Sequence, residues 1–240
     1  AADTILCEST YGDRDHPDED PAEALADVIR RTARRGGTVI VPAFAVDRTD
    51  VVLHHLRRLT ESGAIPELPI YLDSPMAAAA LSVYRSAFDA AAPSPDVRPE
   101  LVGGHPLSTP HLRVVSTVEE SKALNDQERP CIIVSASGML TGGRVVHHLA
   151  RRIEDPRHSV VLIGYQAEAT RGRRLLDGAS SLKMLGHYRP VRCEVAQVAS
   201  MSVHADRREL LEWLGGDGVE APRTLYAVHG EPTGSAGLVT

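Results

Sequence analysis

Residues 20–41, DPAEALADVIRRTARRGGTVIV, show the fold class most directly, because they join a well-marked helix to a short strand-like run. Asp20 can cap the helix, Pro21 suits its first turn, and Glu23 stands where a capping box has an acid. Two glycines then stop the helix, and the β-branched run TVIV that follows predicts a strand.

The same pairing of strand and helix is repeated along the chain. Strand-like runs occur at 38–41, 69–72, 112–116, 131–135 and 159–163, with helical patterns between them. This alternation is typical of βα units, and it predicts an α/β fold with a largely parallel sheet flanked by helices. The stretch 91–110, rich in Pro and Gly, predicts a loop or exposed excursion.

The pattern changes after Gly178, where strand-like pieces follow one another closely. They lie at 182–185 and 191–198, before a helix from about 205 to 214 and a strand at 224–228. The last part of the chain is therefore expected to form a different layer or domain.

The composition limits the function classes. The 240 residues are 42% hydrophobic, enough for a core, and contain no run of about 18 apolar residues that would cross a membrane. A formal net charge of −6 argues against indiscriminate coating of nucleic acid. Cys7, Cys131 and Cys193 each sit in an apolar run, so we expect free thiols and a cytoplasmic location.

Polar groups follow the strand-like runs, and open α/β sheets bind ligands beyond the carboxyl ends of their strands. The groups gathered in this way include Glu8, Arg48, Ser135, Ser137, Gly138 and His229. The loop SASGMLTGGR at 135–144 leads from a strand into a helix with Arg144 in its first turn, an arrangement that favours an anion. A loop that needs glycine only for its turn is the alternative, and the sequence leaves both open.

Most of the 11 histidines are interpreted as structural. The adjacent pairs at 54–55 and 147–148 lie on predicted helices, where neighbouring side chains point about 100° apart, so we expect surface or packing positions. His204 and His229 differ, because each ends a strand-like run with an acid two residues later. Such a histidine suits a metal ligand or a general acid, although a hydrogen-bonded structural histidine is equally compatible.

Seven short motifs occur in order along the chain. They are ESTYGDR at 8–14 with His16, PAFAVDRT at 42–49, DSPM at 73–76, SGMLTGGR at 137–144, GYQ at 164–166, SVHAD at 202–206 and VHGE at 228–231. Together they resemble the β-CASP family of metallo-β-lactamase-fold nucleases, and within it the bacterial and archaeal relatives of the pre-mRNA 3′-end cleavage endonuclease. The resemblance implies a β-CASP domain at 13–199, with 1–12 and 200–240 as pieces of a partial metallo-β-lactamase (αββα) domain.

The resemblance also implies a zinc-dependent ribonuclease acting in RNA processing or decay. Two zinc ions would hold a hydroxide that attacks phosphorus, and His229 would ligate one of them. His204, oriented by Glu8, would protonate the departing oxygen, and Asp206 would support the site from outside it. The RNA phosphates would be gripped in a cleft between the domains by Arg48, Ser135, Ser137, Gly138 and Arg144. A homodimer is compatible with this picture.

One departure from the family pattern is large: the sequence contains no HxHxDH motif, which supplies most of the zinc ligands in the family. We therefore expect a C-terminal part of a longer protein, inactive without the upstream motifs. Asp47, Ala169 and Arg171 also depart from the usual residues of their loops. The alternatives are a non-catalytic RNA-binding or scaffold relative, and a nucleotide-binding α/β enzyme of another class that uses the loop 135–144.

Overall fold

The computed structural model describes residues 2–90, 106–216 and 220–239, which form two compact units. The first unit contains Ala1–Glu19 and Ala199–Thr240, and the second contains Asp20–Val198. The units thus divide after Glu19 and Val198, whereas the resemblance placed the domain limits after residues 12 and 199. Most of the predicted excursion at 91–110 lies outside the described residues.

The strands are β1 (Thr4–Glu8), β2 (Thr38–Pro42), β3 (Ile70–Leu72), β4 (Leu112–Val114), β5 (Cys131–Ser135), β6 (Ser159–Leu162), β7 (Ser181–Met184), β8 (His187–Pro190), β9 (Glu194–Gln197) and β10 (Thr224–Val228). The helices are α1 (Pro21–Arg34), α2 (Arg48–Glu61), α3 (Pro75–Ala90), α4 (Val118–Ala123), α5 (Arg144–Arg152), α6 (Arg171–Leu176), α7 (Arg207–Leu214) and α8 (Pro232–Val239). Short 3₁₀ turns occupy Leu124–Asp126 and Ala199–Met201.

The core of the second unit is a six-stranded sheet in the order β4-β3-β5-β2-β6-β9, and every pairing in it is parallel. All five strand-like runs predicted from the sequence are present. β2 and β5 are buried along their whole length, which explains why they are continuous apolar runs instead of alternating ones. The predicted α/β class and parallel sheet are confirmed.

The last part of the chain belongs to a different unit, as predicted, but this part begins at Ala199 and not after Gly178. β7 and β8 form an antiparallel pair within the second unit, and β9 adds to the edge of the large sheet by pairing with β6. Short strands in close succession therefore do not mark a new domain, because β9 completes the sheet that precedes it.

The start of α1 is as predicted, with one difference. The Asp20 carboxylate accepts a hydrogen bond of 2.8 Å from the backbone N–H of Ala22, so it caps the helix. Glu23 does not complete a capping box, because its carboxylate pairs with Arg30 at 2.5 Å on the helix surface.

The first unit is built on a two-stranded parallel sheet of β1 and β10. One face of this sheet packs against α7 and α8 through a small cluster centred on Cys7, Leu210 and Leu238. Side chains alternate between the faces of a strand, so Leu6 and Tyr226 on the other face are exposed. Among the described residues no helix is long and apolar enough to cross a membrane.

Asp50, in the first turn of α2, provides a test of burial in the second unit. The residue is only 7% exposed, and neither carboxylate oxygen has a hydrogen-bond partner in the part of the chain that the structure describes. Burial raises the pKa of Asp50 from 3.8 to about 6. The folded chain therefore bears a cost for ionising this carboxyl that the unfolded chain does not.

We expect Asp50→Asn to raise the free energy of unfolding at pH 8 by about 1–3 kcal/mol. Because the folded pKa lies above the unfolded one, the cost is absent below about pH 4 and complete above about pH 6, so the gain should vanish in acid. Urea denaturation of both proteins at pH 8 and below about pH 4 measures this gain in the free energy of unfolding. The control Asp126→Asn, at a side chain that is 79% exposed, should change little. An equal gain at both pH values would contradict the explanation.

Candidate active site

Glu8 is the last residue of β1, and two backbone amides hold its carboxylate. The N–H of Thr10 donates to Oε2 at 2.9 Å, and the N–H of Ala205 donates to Oε1 at 3.1 Å. Burial opposes ionisation, but the hydrogen bonds from Thr10 and Ala205 and the neighbouring His204 outweigh it, so the pKa of Glu8 lies below its ordinary value. Glu8 is therefore a fixed negative charge at neutral pH.

His204 lies beside this charge. Its Nδ1 is 3.4 Å from Oε1 of Glu8 and 3.3 Å from the hydroxyl oxygen of Thr10. The sequence pattern suggested that His204 ends a strand, and this is wrong. The residue occupies the loop between the turn Ala199–Met201 and α7. Two contacts fix this loop. The N–H of Ala205 donates to the Glu8 carboxylate, and Nε2 of His16 lies 2.9 Å from the His204 carbonyl oxygen.

His229 follows β10 directly, as predicted, and is brought to the site by strand register. β1 and β10 pair with Glu8 opposite Val228, so the residues just beyond the two strand ends are neighbours. Nδ1 of His229 is 3.1 Å from the Thr10 hydroxyl oxygen. Gly230 permits this approach, because a Cβ there would come within 2.3 Å of the Ser9 carbonyl oxygen.

Glu8, His204 and His229 form one cluster, in which one potential ligand atom from each residue lies within 4.8 Å of those of the other two. Imidazole nitrogen and carboxylate oxygen are donors that zinc accepts, so the chemistry of this set fits a zinc ion. Among the described residues, the polar contacts of both rings are made by Nδ1. Nε2 of each ring is therefore available for a metal ion or for proton transfer.

Thr10 was not identified from the sequence, although it stands two residues after Glu8 in the motif ESTYG. One hydroxyl contacts both imidazoles, and a hydroxyl has one proton to donate, so it cannot donate to both rings at once. Thr10 is thus a positioning residue that couples the orientations of His204 and His229.

Asp206 supports the site through the backbone. Its carboxylate accepts hydrogen bonds from the N–H groups of His16 and Glu209, both at 2.9 Å, and so caps α7 in a capping box. The carboxylate beside the His204 ring is Glu8. Asp206 instead fixes the segment that carries His204.

The residues predicted to grip phosphates lie in the second unit, where β2 and β5 are neighbours with Pro42 opposite Ser135. Arg48 and Gly138 line one small cavity of about 10 Å³ beyond these strands, which is room for about one water molecule. Arg48 also pairs with Asp47 at 2.7 Å.

The two serines are engaged within the unit. The buried hydroxyl of Ser135 donates to the Asp73 carbonyl oxygen at 2.6 Å. The hydroxyl of Ser137 accepts from the N–H of Thr141 at 3.1 Å and so closes its own loop. That loop also requires Gly143, since φ is +79° and a Cβ would come within 2.3 Å of the Ala136 carbonyl oxygen.

Arg144 is held by a buried charge network that sequence reasoning missed. The fully buried carboxylate of Asp73 accepts from Arg144 at 2.6 Å and from Ser121 at 2.5 Å, and it lies 2.5 Å from Nε2 of His148. Burial opposes ionisation of Asp73, but these hydrogen bonds outweigh it and lower its pKa. His148 was predicted to be a surface or packing residue, but it is a buried member of this polar network. The sequence signal for the network was the position of Asp73 directly after a strand.

Comparison with known proteins defines the class to which this fold and site belong. The Beta-Casp domain model matches residues 49–175, more than half of the chain, and the Zn-dependent metallo-hydrolase RNA specificity domain model matches residues 188–239. The chain belongs to the Beta-Casp family, and the resemblance seen in its motifs is confirmed.

Three relatives show how far the similarity extends. Ribonuclease TTHA0252 of Thermus thermophilus is 38% identical over 232 residues, which cover 96% of this chain and 52% of the relative. Transcription termination factor FttA of Pyrococcus abyssi is 34% identical over 250 residues, which cover 99% of this chain and 38% of the relative. The RNase J-like protein of Methanocaldococcus jannaschii is 31% identical over 234 residues, which cover 95% of this chain and 52% of the relative. The chain spans about half or less of the length of these relatives.

Proposed function

We propose that the chain is part of a zinc-dependent ribonuclease that hydrolyses RNA phosphodiester bonds, with Glu8, His204 and His229 in one catalytic centre. One observation carries the proposal: side chains from three separate segments converge, and one ligand atom from each lies within 4.8 Å of the other two. The family model that names zinc and RNA specificity, and the relatives named ribonuclease and RNase J-like protein, support the same chemistry.

His229 would hold zinc through Nε2, while its Nδ1 stays on Thr10. Zinc, when bound, supplies a hydroxide at neutral pH and positive charge for the phosphoryl oxygens. The cluster found among the described residues has three donor side chains, which are too few for two ions. We propose that the remaining ligands lie outside these 240 residues and that the residues alone do not cleave RNA.

His204 would act as the general acid. The ionised carboxylate of Glu8 lies 3.4 Å from Nδ1 and orients the ring. The proton on Nε2 can then pass to the oxygen that leaves phosphorus. Glu8 is a positioning residue in this scheme.

Phosphate binding is proposed for Arg48, Ser137, Gly138 and Arg144. Arg144 is pre-oriented by Asp73, so a phosphate would meet a guanidinium already held in place. The hydroxyl of Ser135 already donates to the Asp73 carbonyl oxygen, so Ser135 would act by holding the backbone at the end of β3 in place. We also propose a cytoplasmic location, which the buried free thiols of Cys7, Cys131 and Cys193 support.

Metal analysis and an RNA assay together test this function. We expect the complete gene product to cleave single-stranded RNA and to lose cleavage when zinc is removed by a chelator. The 240 residues alone should bind zinc weakly, as measured after dialysis, without cleaving RNA. His229→Ala should abolish that zinc binding, whereas His187→Ala, at an exposed position on β8, should not. A complete gene product that binds RNA but never cleaves it would favour the scaffold alternative.

A further inference from the structure

We propose that a cationic pocket beside α6 and the turn between β7 and β8 binds a phosphate of single-stranded RNA, and that Tyr188 stacks on an adjacent base. The inference rests on the proposed function for its ligand. The pocket has a volume of about 400 Å³ and is lined by Arg171, Arg174 and Lys183, with Thr141, Leu185 and Gly186 among the neighbouring residues. No carboxylate is among its lining residues in the described part of the chain.

Arg171 forms the fixed part of this pocket. Its Nε donates to the Lys183 carbonyl oxygen at 2.8 Å, and its Nη1 donates to the carbonyl oxygens of Leu140 and Thr141 at 2.8 and 3.1 Å. These acceptors are neutral, so they orient the guanidinium without cancelling its charge. Nη2 makes no hydrogen bond within the described residues and remains able to donate to an anion.

Arg174 and Lys183 supply two further positive charges. Both side chains are exposed, and neither forms an ion pair with any residue that the structure describes. Neighbouring Arg173 differs, because it pairs with Asp177 at 2.9 Å. The pocket thus concentrates uncompensated positive charge in a chain whose net charge is −6, which favours a phosphate ligand.

Tyr188 distinguishes RNA from other anions. It stands directly opposite Lys183 in the antiparallel pair, and the Lys183 ammonium lies 5.9 Å from the ring centroid. The residue is 68% exposed, in a chain with only 4% aromatic residues. An exposed aromatic ring beside phosphate-binding cations is the arrangement that binds single strands, since bases stack on the ring while the cations follow the backbone. A free phosphate would use the cations but not the ring.

Fluorescence anisotropy with a labelled uridine 12-mer, in EDTA so that the RNA is not cut, tests the proposal on the complete gene product. We expect the double variant Arg174→Ala, Lys183→Ala to bind RNA about fivefold to tenfold more weakly. The slope of log affinity against log salt should fall by about 0.7 for each phosphate that is no longer neutralised. The matched control Arg34→Ala, Lys122→Ala removes the same charges from exposed positions that do not line the pocket, and should have little effect.

Tyr188→Leu is expected to weaken RNA binding without changing the salt slope, while Tyr188→Phe keeps the affinity. Circular dichroism and thermal unfolding check that every variant is folded. Equal affinity of the pocket and control double variants would overturn the proposal. A second result would also overturn it. If inorganic phosphate raised the unfolding temperature of the unaltered protein but not of the pocket double variant, while both bound RNA equally, the site would serve free phosphate. An unaltered protein that binds no RNA would overturn the proposed function as well.

Discussion

Replacing His204 with alanine in the complete gene product is expected to slow RNA cleavage about 100- to 10 000-fold, the range for loss of a general acid. The imidazole lies 3.4 Å from the Glu8 carboxylate, whose lowered pKa keeps it ionised. Without the ring, the departing oxygen must leave as an alkoxide or take its proton from water. The initial rate on a labelled RNA under saturating substrate measures the effect.

A substrate with a good leaving group separates this role from a structural one. Nitrophenolate needs no proton to depart, so His204→Ala should lose far less activity on bis(p-nitrophenyl) phosphate than on RNA. His111→Ala, just before β4 and with its ring 3.8 Å from the exposed carboxylate of Glu67, is the control and should match the unaltered protein on both substrates. Equal losses on the two substrates would show that His204 positions the site or holds metal, and would reject the general-acid role.

Replacing Asp73 with alanine is expected to lower the free energy of unfolding by about 3–5 kcal/mol. The carboxylate is fully buried and receives hydrogen bonds from Arg144 and Ser121, with His148 at 2.5 Å. Its removal leaves the Arg144 guanidinium without its counter-charge and the buried polar groups of Ser121 and His148 without an acceptor. Urea denaturation of the 240-residue chain measures the change.

Two further variants define the cause. Asp177→Ala breaks an exposed pair with Arg173, at a side chain that is 57% exposed, and should cost less than about 1 kcal/mol. Asp73→Asn keeps the shape but removes the charge. Because the folded pKa of Asp73 is depressed, the stability from its charge is present above about pH 4 and is lost as pH falls through the folded pKa, so the two proteins should converge in acid. A constant difference would contradict the electrostatic explanation.

The parallel sheet could be predicted from the sequence because its signals are local. β2 and β5 are apolar runs bounded by turn residues, and Asp20 with Pro21 marks the start of α1; each depends on near neighbours alone. The order of the seven motifs along the chain also predicted the family. Where a signal was not local the interpretation failed, as for β9, whose pairing with β6 is decided by the free edge of the sheet.

The sequence by itself therefore determined the α/β class, five strands of the parallel sheet, and Glu8, His204 and His229 as candidates for one centre. The tertiary structure decided how they meet. The register that places Glu8 opposite Val228 brings His229 to Thr10, and the capped loop before α7 turns His204 toward Glu8. Likewise only sheet order brings Arg144 to Asp73. Contacts between residues about 70 to 220 positions apart depend on which strands pair and in what register, and no local pattern encodes that.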